Sequence, residues 1–303
     1  MPYLRLLGAQ IAIGAAAIFA RFALLGAGPL AVSALRLGIA AAIALLLAVP
    51  LRRISNHREL AFAAAGAALA LHFATWLASL QYTSVAISTL LVTTTPLWTR
   101  TYEALRERRA PERSFISALL LALAGVTLIV FVRGAAPAPI TGHALLGDGL
   151  ALAGSVAIGA YLVIVREAGV RHADPLPTRQ IVARTYGWSA AALAIAALFA
   201  REPAPAIDNV AAWWGILAMA LVSQLLGHTA LNAALRDFSP STIALTTLLE
   251  PAIATALAGI VFHETLSAQT FAGGALVIAA VAVSLVSQPP RGHGRSIRIF
   301  PGV

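Results

Sequence analysis

Apolar residues along this chain come in long unbroken runs, and the charged positions between them mark where one run stops and the next begins. A helix that crosses a bilayer needs about 20 mostly apolar residues. Leu4 to Leu24 predicts a first span and Leu30 to Val49 a second. Leu60 to Thr99 holds no Asp, Glu or Arg and is too long for one helix, so it divides at Gln81-Tyr82-Thr83-Ser84 into a third span and a fourth over Val85 to Tyr102. Ser114 to Val132 is the fifth, and Pro137 and Pro139 in the following loop bar its continuation. Leu145 to Val165, Gln180 to Phe199, Ala211 to Leu235, Ser241 to Phe262 and Ser267 to Ser287 predict spans six to ten.

Composition turns this pattern into a class. Hydrophobic residues make up 59% and charged residues 11%, against about 45 to 50% and 25% in soluble domains. The expected fold is all-α, a polytopic membrane protein. All 21 basic side chains are arginine. With the N-terminus inside, only Arg21, Arg133 and Arg201 fall outside, Arg36 and Arg184 lie within spans, and every other arginine is cytoplasmic. The positive-inside rule then puts both termini in the cytoplasm. Short loops and the lack of a targeting segment point to the cell inner membrane of a bacterium. One early arginine, an apolar run and small residues near Ala20 resemble a signal peptide. That segment is read as an uncleaved first span, because cleavage would leave an unmatched set.

The net charge of +9 does not imply nucleic acid, since the arginines sit between apolar runs and form no basic face. With no cysteine, thiolate metal sites, disulfides and a cysteine nucleophile are excluded.

The chain repeats itself. Pro96 and Pro251 are 155 residues apart, and the same offset pairs Leu80 with Leu235, Ser84 with Ser239, Leu90 with Leu245 and Ala124 with Ala279. Nearer the N-terminus the offset shrinks: Arg21 meets Arg166, Pro29-Leu30 meets Pro175-Leu176, and Arg36 lies close to Arg184. Residues 1–142 and 143–288 are thus two five-span repeats, followed by a basic tail, 289–303. Five spans is an odd number, so the repeats should be inverted relative to each other and enclose a central cavity.

The stretch LLEPAIATALAGIVFHETLSAQTFAGGALVIAAV, from Leu248, resembles the second-repeat signature of the ten-span EamA-type transporters of the drug/metabolite transporter superfamily. The shared features are the Glu250-Pro251 pair in span nine, Glu264 at the next turn, a small-residue tenth span, and Arg36 and Arg184 early in the second span of each repeat. The first repeat departs from it, with Thr95 opposite Glu250 and Arg109 opposite Glu264. The resemblance implies a secondary transporter that works by alternating access. Its members include bacterial exporters of amino acids, and this chain looks closest to the aromatic exporters. Export of another metabolite or of a cationic drug is the alternative.

Moving a zwitterion needs partners for its ammonium and carboxylate and apolar walls for its side chain. A carboxylate inside a span is costly, by about 2.5 to 3.5 kcal/mol on insertion scales. Glu250 therefore either counters the ammonium or carries a coupled proton, or else it satisfies backbone freed where Pro251 bends the helix. His72 and Trp76 are one helical turn apart in span three. Gln224, His228 and Asn232 repeat that spacing in span eight, where the offset sets Gln224 opposite Leu69 and His228 opposite Phe73. Either histidine alone reads as an interhelical hydrogen bond, but as a set they point to a shared cavity.

Tyr82, Trp98 and Tyr161 are the aromatic candidates for its wall, whereas Trp188 and Trp213-Trp214 fit an interfacial belt. Arg36 and Arg184 have the geometry to bind a carboxylate, but near an interface they are expected to cap loops or meet lipid phosphate. Thr93-Thr94-Thr95-Pro96 is a hinge candidate, and Gly273-Gly274 a helix-contact surface.

An intramembrane enzyme is the distant alternative. Against it, HETLS at His263 lacks the second histidine of a zinc helix, Asp148 has no second intramembrane aspartate, and no Gly-rich phosphate loop occurs. No cofactor or metal is expected. The expected partners are a small-molecule substrate and the lipid bilayer, with protons the candidate coupling ion and a monomer the candidate working unit.

Overall fold

The structure is a computed structural model describing residues 2–79, 82–83, 88, 91–132, 143–262 and 267–287. Among these residues it is all helical. The helices are α1 (Pro2–Gly14), α2 (Ala16–Ala23), α3 (Pro29–Ala48), α4 (Asn56–Ser79), α5 (Thr95–Glu107), α6 (Arg113–Val132), α7 (Ala144–Val165) and α8 (Thr178–Ala200), then α9 (Val210–Ala218), α10 (Thr229–Ala234), α11 (Pro240–Thr246), α12 (Leu249–Phe262) and α13 (Ala268–Ser287). Seven stretches are long and apolar enough to cross a membrane: Pro2–Ala23, Pro29–Ala48, Asn56–Ser79, Ala144–Val170, Thr178–Ala200, Val210–Ala234 and Pro240–Val261. Arg113–Ile129 and Phe271–Ser287 are shorter apolar helices. Much of the expected fourth span, the loop with Pro137 and Pro139, the turn with His263 and Glu264, and the basic tail lie outside the described residues.

Solvation is inverted relative to a soluble domain. Leu198, Phe199, Leu145 and Val286 stand on the outside, while Arg36, Gln10, Gln224 and Asn232 are buried. In a bilayer apolar burial does not drive helix association, so close packing and interhelical hydrogen bonds must. Glycine permits the close approach. A β-carbon on Gly125 of α6 would sit 2.6 Å from the Gly273 carbonyl oxygen of α13, and one on Gly273 would sit 2.7 Å from that of Gly125.

α3 and α8 lie antiparallel, tied at both ends. At the start of α3 the Glu202 carboxylate accepts from the amides of Leu30 (2.7 Å) and Ala31 (3.1 Å), occupying two of the free donors of a helix N-terminus. At its other end Gln180 of α8 donates to the Ala48 carbonyl at 2.6 Å.

Four expected spans, the first, fourth, eighth and ninth, are interrupted among the described residues. The first pauses at Ala15, between α1 and α2. The eighth winds as a π-helix over Met219–His228, where the Thr229 amide reaches back five residues to the Gln224 carbonyl. Such stretches are uncommon and concentrate at functional sites.

The ninth is the clearest correction. Its break falls at Thr247-Leu248, ahead of the Glu-Pro pair, so Glu250 and Pro251 occupy the first turn of α12. Proline there removes an amide that has no helical partner anyway. A carboxylate in the first turn also interacts favourably with the helix dipole. Pro96 has the same place in α5, after a turn at Thr93-Thr94. In each half threonine hydroxyls bond back to carbonyls at the break: Thr94 to Leu91 and Thr95 to Val92 in one, Thr246 to Ile243 and Thr247 to Ala244 in the other.

Candidate functional site

Side chains from α3, α4, α7, α8, α10 and the π-helical segment meet at the centre. His72 is oriented by α7: its Nδ1 lies 2.9 Å from the Gly154 carbonyl oxygen. A carbonyl only accepts, so Nδ1 carries the proton and Nε2 of the neutral ring is an acceptor. Gly154 makes this approach possible, since a β-carbon there would stand 3.0 Å from the Thr75 hydroxyl oxygen. The His72 ring stacks on Trp76, with 6.3 Å between centroids and 7° between planes. The two share a face, as their spacing implied.

Phe73 fills the space between the halves. Its ring meets His228 edge to face at 5.8 Å, and the Arg36 guanidinium lies 4.2 Å from its centroid. Arg36 donates to the Gln224 side-chain oxygen at 2.7 Å. This overturns the interfacial reading of Arg36, which is only 1% exposed. Arg184 keeps the loop-capping role: it donates to the Arg52 carbonyl at 2.5 Å and pairs with Glu59 at 3.0 Å.

Asn232 and Tyr161 exchange hydrogen bonds, the phenol to Oδ1 at 2.9 Å and Nδ2 to the phenol at 2.7 Å. Asn232 Nδ2 also donates to the His228 carbonyl at 2.7 Å. Tyr186 donates to the Gln224 carbonyl at 3.3 Å, the same oxygen that accepts from the Thr229 amide. Buried atoms in this region without a hydrogen-bond partner include Arg36 Nε and Nη1, Gln224 Nε2, Trp76 Nε1 and His228 Nδ1.

Not every expected residue joins the cluster. Trp98 donates its indole N–H to Ser155 at 2.7 Å, and Thr94 contacts the same hydroxyl at 2.9 Å. It therefore adjoins the α7 step that holds His72, on the side of α5. Tyr82 lies in the turn after α4, where its amide bonds to the Ser79 carbonyl. Among the described residues no side-chain hydrogen bond or ring contact links it to the centre. Glu250 is half-buried, and its backbone oxygen faces Gly14 of α1, 3.5 Å from where a β-carbon would stand.

Arg36, Phe73, Tyr186 and Thr229 were missed as members of the cluster. Phe73 had a signal, being opposite His228 in the repeat, whereas Tyr186 had none.

A second, charged cluster sits where α5 meets α7 and α11. The Glu103 carboxylate accepts from the Ser241 hydroxyl at 2.5 Å and from its amide at 3.3 Å. Arg106 pairs with Glu167 at 2.5 Å, and that hydrogen bond holds the guanidinium above its ordinary pKa. Arg166 donates to the Phe238 carbonyl.

The profile of the EamA-like transporter family matches residues 1–131 and again 145–286, and the chain belongs to that family. It is a membrane transporter of small substrates rather than an enzyme. No curated protein matches its sequence. A solved structure, a protein crystal structure at 17% identity, aligns with a TM-score of 0.77 over 95% of this chain and 98% of its own. At that identity the likeness bears on the fold alone.

Proposed function

We propose that this chain is a secondary carrier that exports small metabolites, amino acids first among them, across the bacterial inner membrane by alternating access. Ten spans form two inverted repeats, 1–142 and 143–288, around a central cavity, with both termini and the tail 289–303 in the cytoplasm. The observation that carries the reading is the contact of Phe73 with His228 at a buried polar centre. These two positions are equivalent under the 155-residue offset, and equivalent residues touch where a two-fold axis passes between them. The antiparallel course of α3 and α8, the second spans of the two halves, supports the inversion.

In this reading His72, Trp76, Gln224, His228 and Asn232 line the substrate path, with Tyr161 fixed behind Asn232. Trp98 and Tyr82 belong to the walls toward α5 and the turn after α4. His72 Nε2 is the acceptor for an ammonium group, and Glu250, outside the cluster and beside α1, is the candidate to carry a coupled proton. The stacked His72 and Trp76 rings favour an aromatic or apolar side chain. The charged cluster at Glu103 and Arg106 is the gate at one end.

Counterflow of labelled phenylalanine into liposomes holding the purified chain, competed by a panel of amino acids with and without a proton gradient, tests this. Competed uptake without chemical conversion is expected. Absence of uptake for every amino acid, or conversion of the solute, overturns it.

A further inference from the structure

The centre is rich in donors and poor in acceptors. A guanidinium carries five N–H hydrogens and accepts nothing. Arg36 commits one to Gln224, while Nε and Nη1 meet no acceptor among the described residues. Because Gln224 must present its oxygen to Arg36, its Nε2 hydrogens are turned away from that bond, and they too are unpartnered. Trp76 Nε1 and His228 Nδ1 add two more buried ring nitrogens without partners. No ion pair among the described residues includes Arg36. A charge removed from water with neither a counter-ion nor a full set of hydrogen bonds is strongly unfavourable, so this arrangement calls for an anion.

We propose that Arg36, with Gln224 beside it, binds the carboxylate of the transported solute. This rests on the carrier reading and names the chemical class of its substrate. Phe73 covers one face of the guanidinium, which leaves its edges for the in-plane, two-point contact that a planar carboxylate makes. The unpartnered N–H donors on Gln224 and Trp76 belong to an uncharged amide and an uncharged indole. One positive charge among uncharged donors matches a monoanion better than a phosphate dianion. A cationic drug would meet the guanidinium with like charge, so the site disfavours the cationic alternative. His72 Nε2, an acceptor on the neighbouring helical turn, completes a polarity suited to a zwitterion with its acid at Arg36.

The test is binding by the full chain in detergent, read as the thermal midpoint against ligand concentration, since a ligand that binds only the folded state raises it. The probes are phenylacetate, its neutral isostere phenylacetamide, and chloride at matched ionic strength. Phenylacetate should raise the midpoint and the other two should not. Arg36→Gln should weaken phenylacetate binding about 10- to 100-fold, the range of a lost charged hydrogen bond. Arg36→Lys should fall between, because an ammonium makes a single-point contact. Should Arg36→Gln fail to fold, Gln224→Glu carries the test: it keeps the shape, supplies Arg36 with an internal carboxylate, and should abolish the phenylacetate response.

An equal response to phenylacetamide, no response to phenylacetate, or wild-type binding by Gln224→Glu overturns the proposal. An Arg36-dependent response to chloride equal to that of phenylacetate overturns the carboxylate assignment in favour of an inorganic anion. Because binding in detergent does not require transport, counterflow that fails while phenylacetate binds overturns the carrier reading alone.

Discussion

The ring of Phe73 meets the imidazole of His228 edge to face, with centroids 5.8 Å apart and planes at 80°. Phe73 also lies beneath the Arg36 guanidinium, so one side chain joins the two halves and supports the buried charge. Replacing it by alanine removes both contacts. Phe73→Ala should cost about 3 to 5 kcal/mol, as for other large-to-small core changes, seen as a lower thermal midpoint in detergent. A change confined to transport, with the midpoint unmoved, would contradict this structural role.

Trp76→Ala and His228→Ala act differently in the proposed path. Each should lower counterflow several-fold while expression and membrane insertion stay at wild-type levels. Unaltered transport in both variants would remove these residues from the substrate path.

Tyr161 and Asn232 form a closed pair between α7 and α10. Interhelical polar pairs in membranes couple by about 0.6 kcal/mol on average and at most about 1.7. A double-mutant cycle of Tyr161→Phe and Asn232→Leu on unfolding free energy should fall in that range. A coupling of zero would mean that the two groups do not depend on each other.

The chain has no cysteine, so a pair can be introduced without background. Glu103→Cys with Ser241→Cys, joined by a short bifunctional thiol reagent, should stop transport if α5 and α11 separate at a gate, and a cleavable reagent should restore it on reduction. Transport through the cross-linked protein would refute the gate.

Gly273 and Gly274 looked alike in sequence and differ in the structure. A β-carbon on Gly273 would sit 2.7 Å from the Gly125 carbonyl oxygen, whereas one on Gly274 would meet nothing within 4 Å. Gly273→Ala should destabilise by about 1 to 3 kcal/mol, the usual cost of overpacking, and Gly274→Ala should be silent. Equal effects at both sites would refute this interface.

Several apolar helices were legible from sequence to within a few residues, because such a helix is marked by length and polarity alone. The expected Leu30 to Val49 is Pro29–Ala48, and Gln180 to Phe199 is Thr178–Ala200. The interruptions were harder to see. A π-helical segment at Met219–His228 and a break at Thr247-Leu248 depend on which carbonyls find tertiary partners, and Pro251 drew attention to the wrong residue. The face bearing His72 and Trp76 was readable because helical spacing is local.

Arg36 and Arg184 show where the boundary lies. Their shared place in the repeat was written in the chain, yet one bonds Gln224 in the interior, while the other ties Arg52 and Glu59. Sequence by itself determined the class and the internal repeat, since these follow from polarity and order along the chain. Only the tertiary structure decided which equivalent residue is buried against Phe73 and left with unpartnered donors, because that depends on what the neighbouring helices bring to meet it.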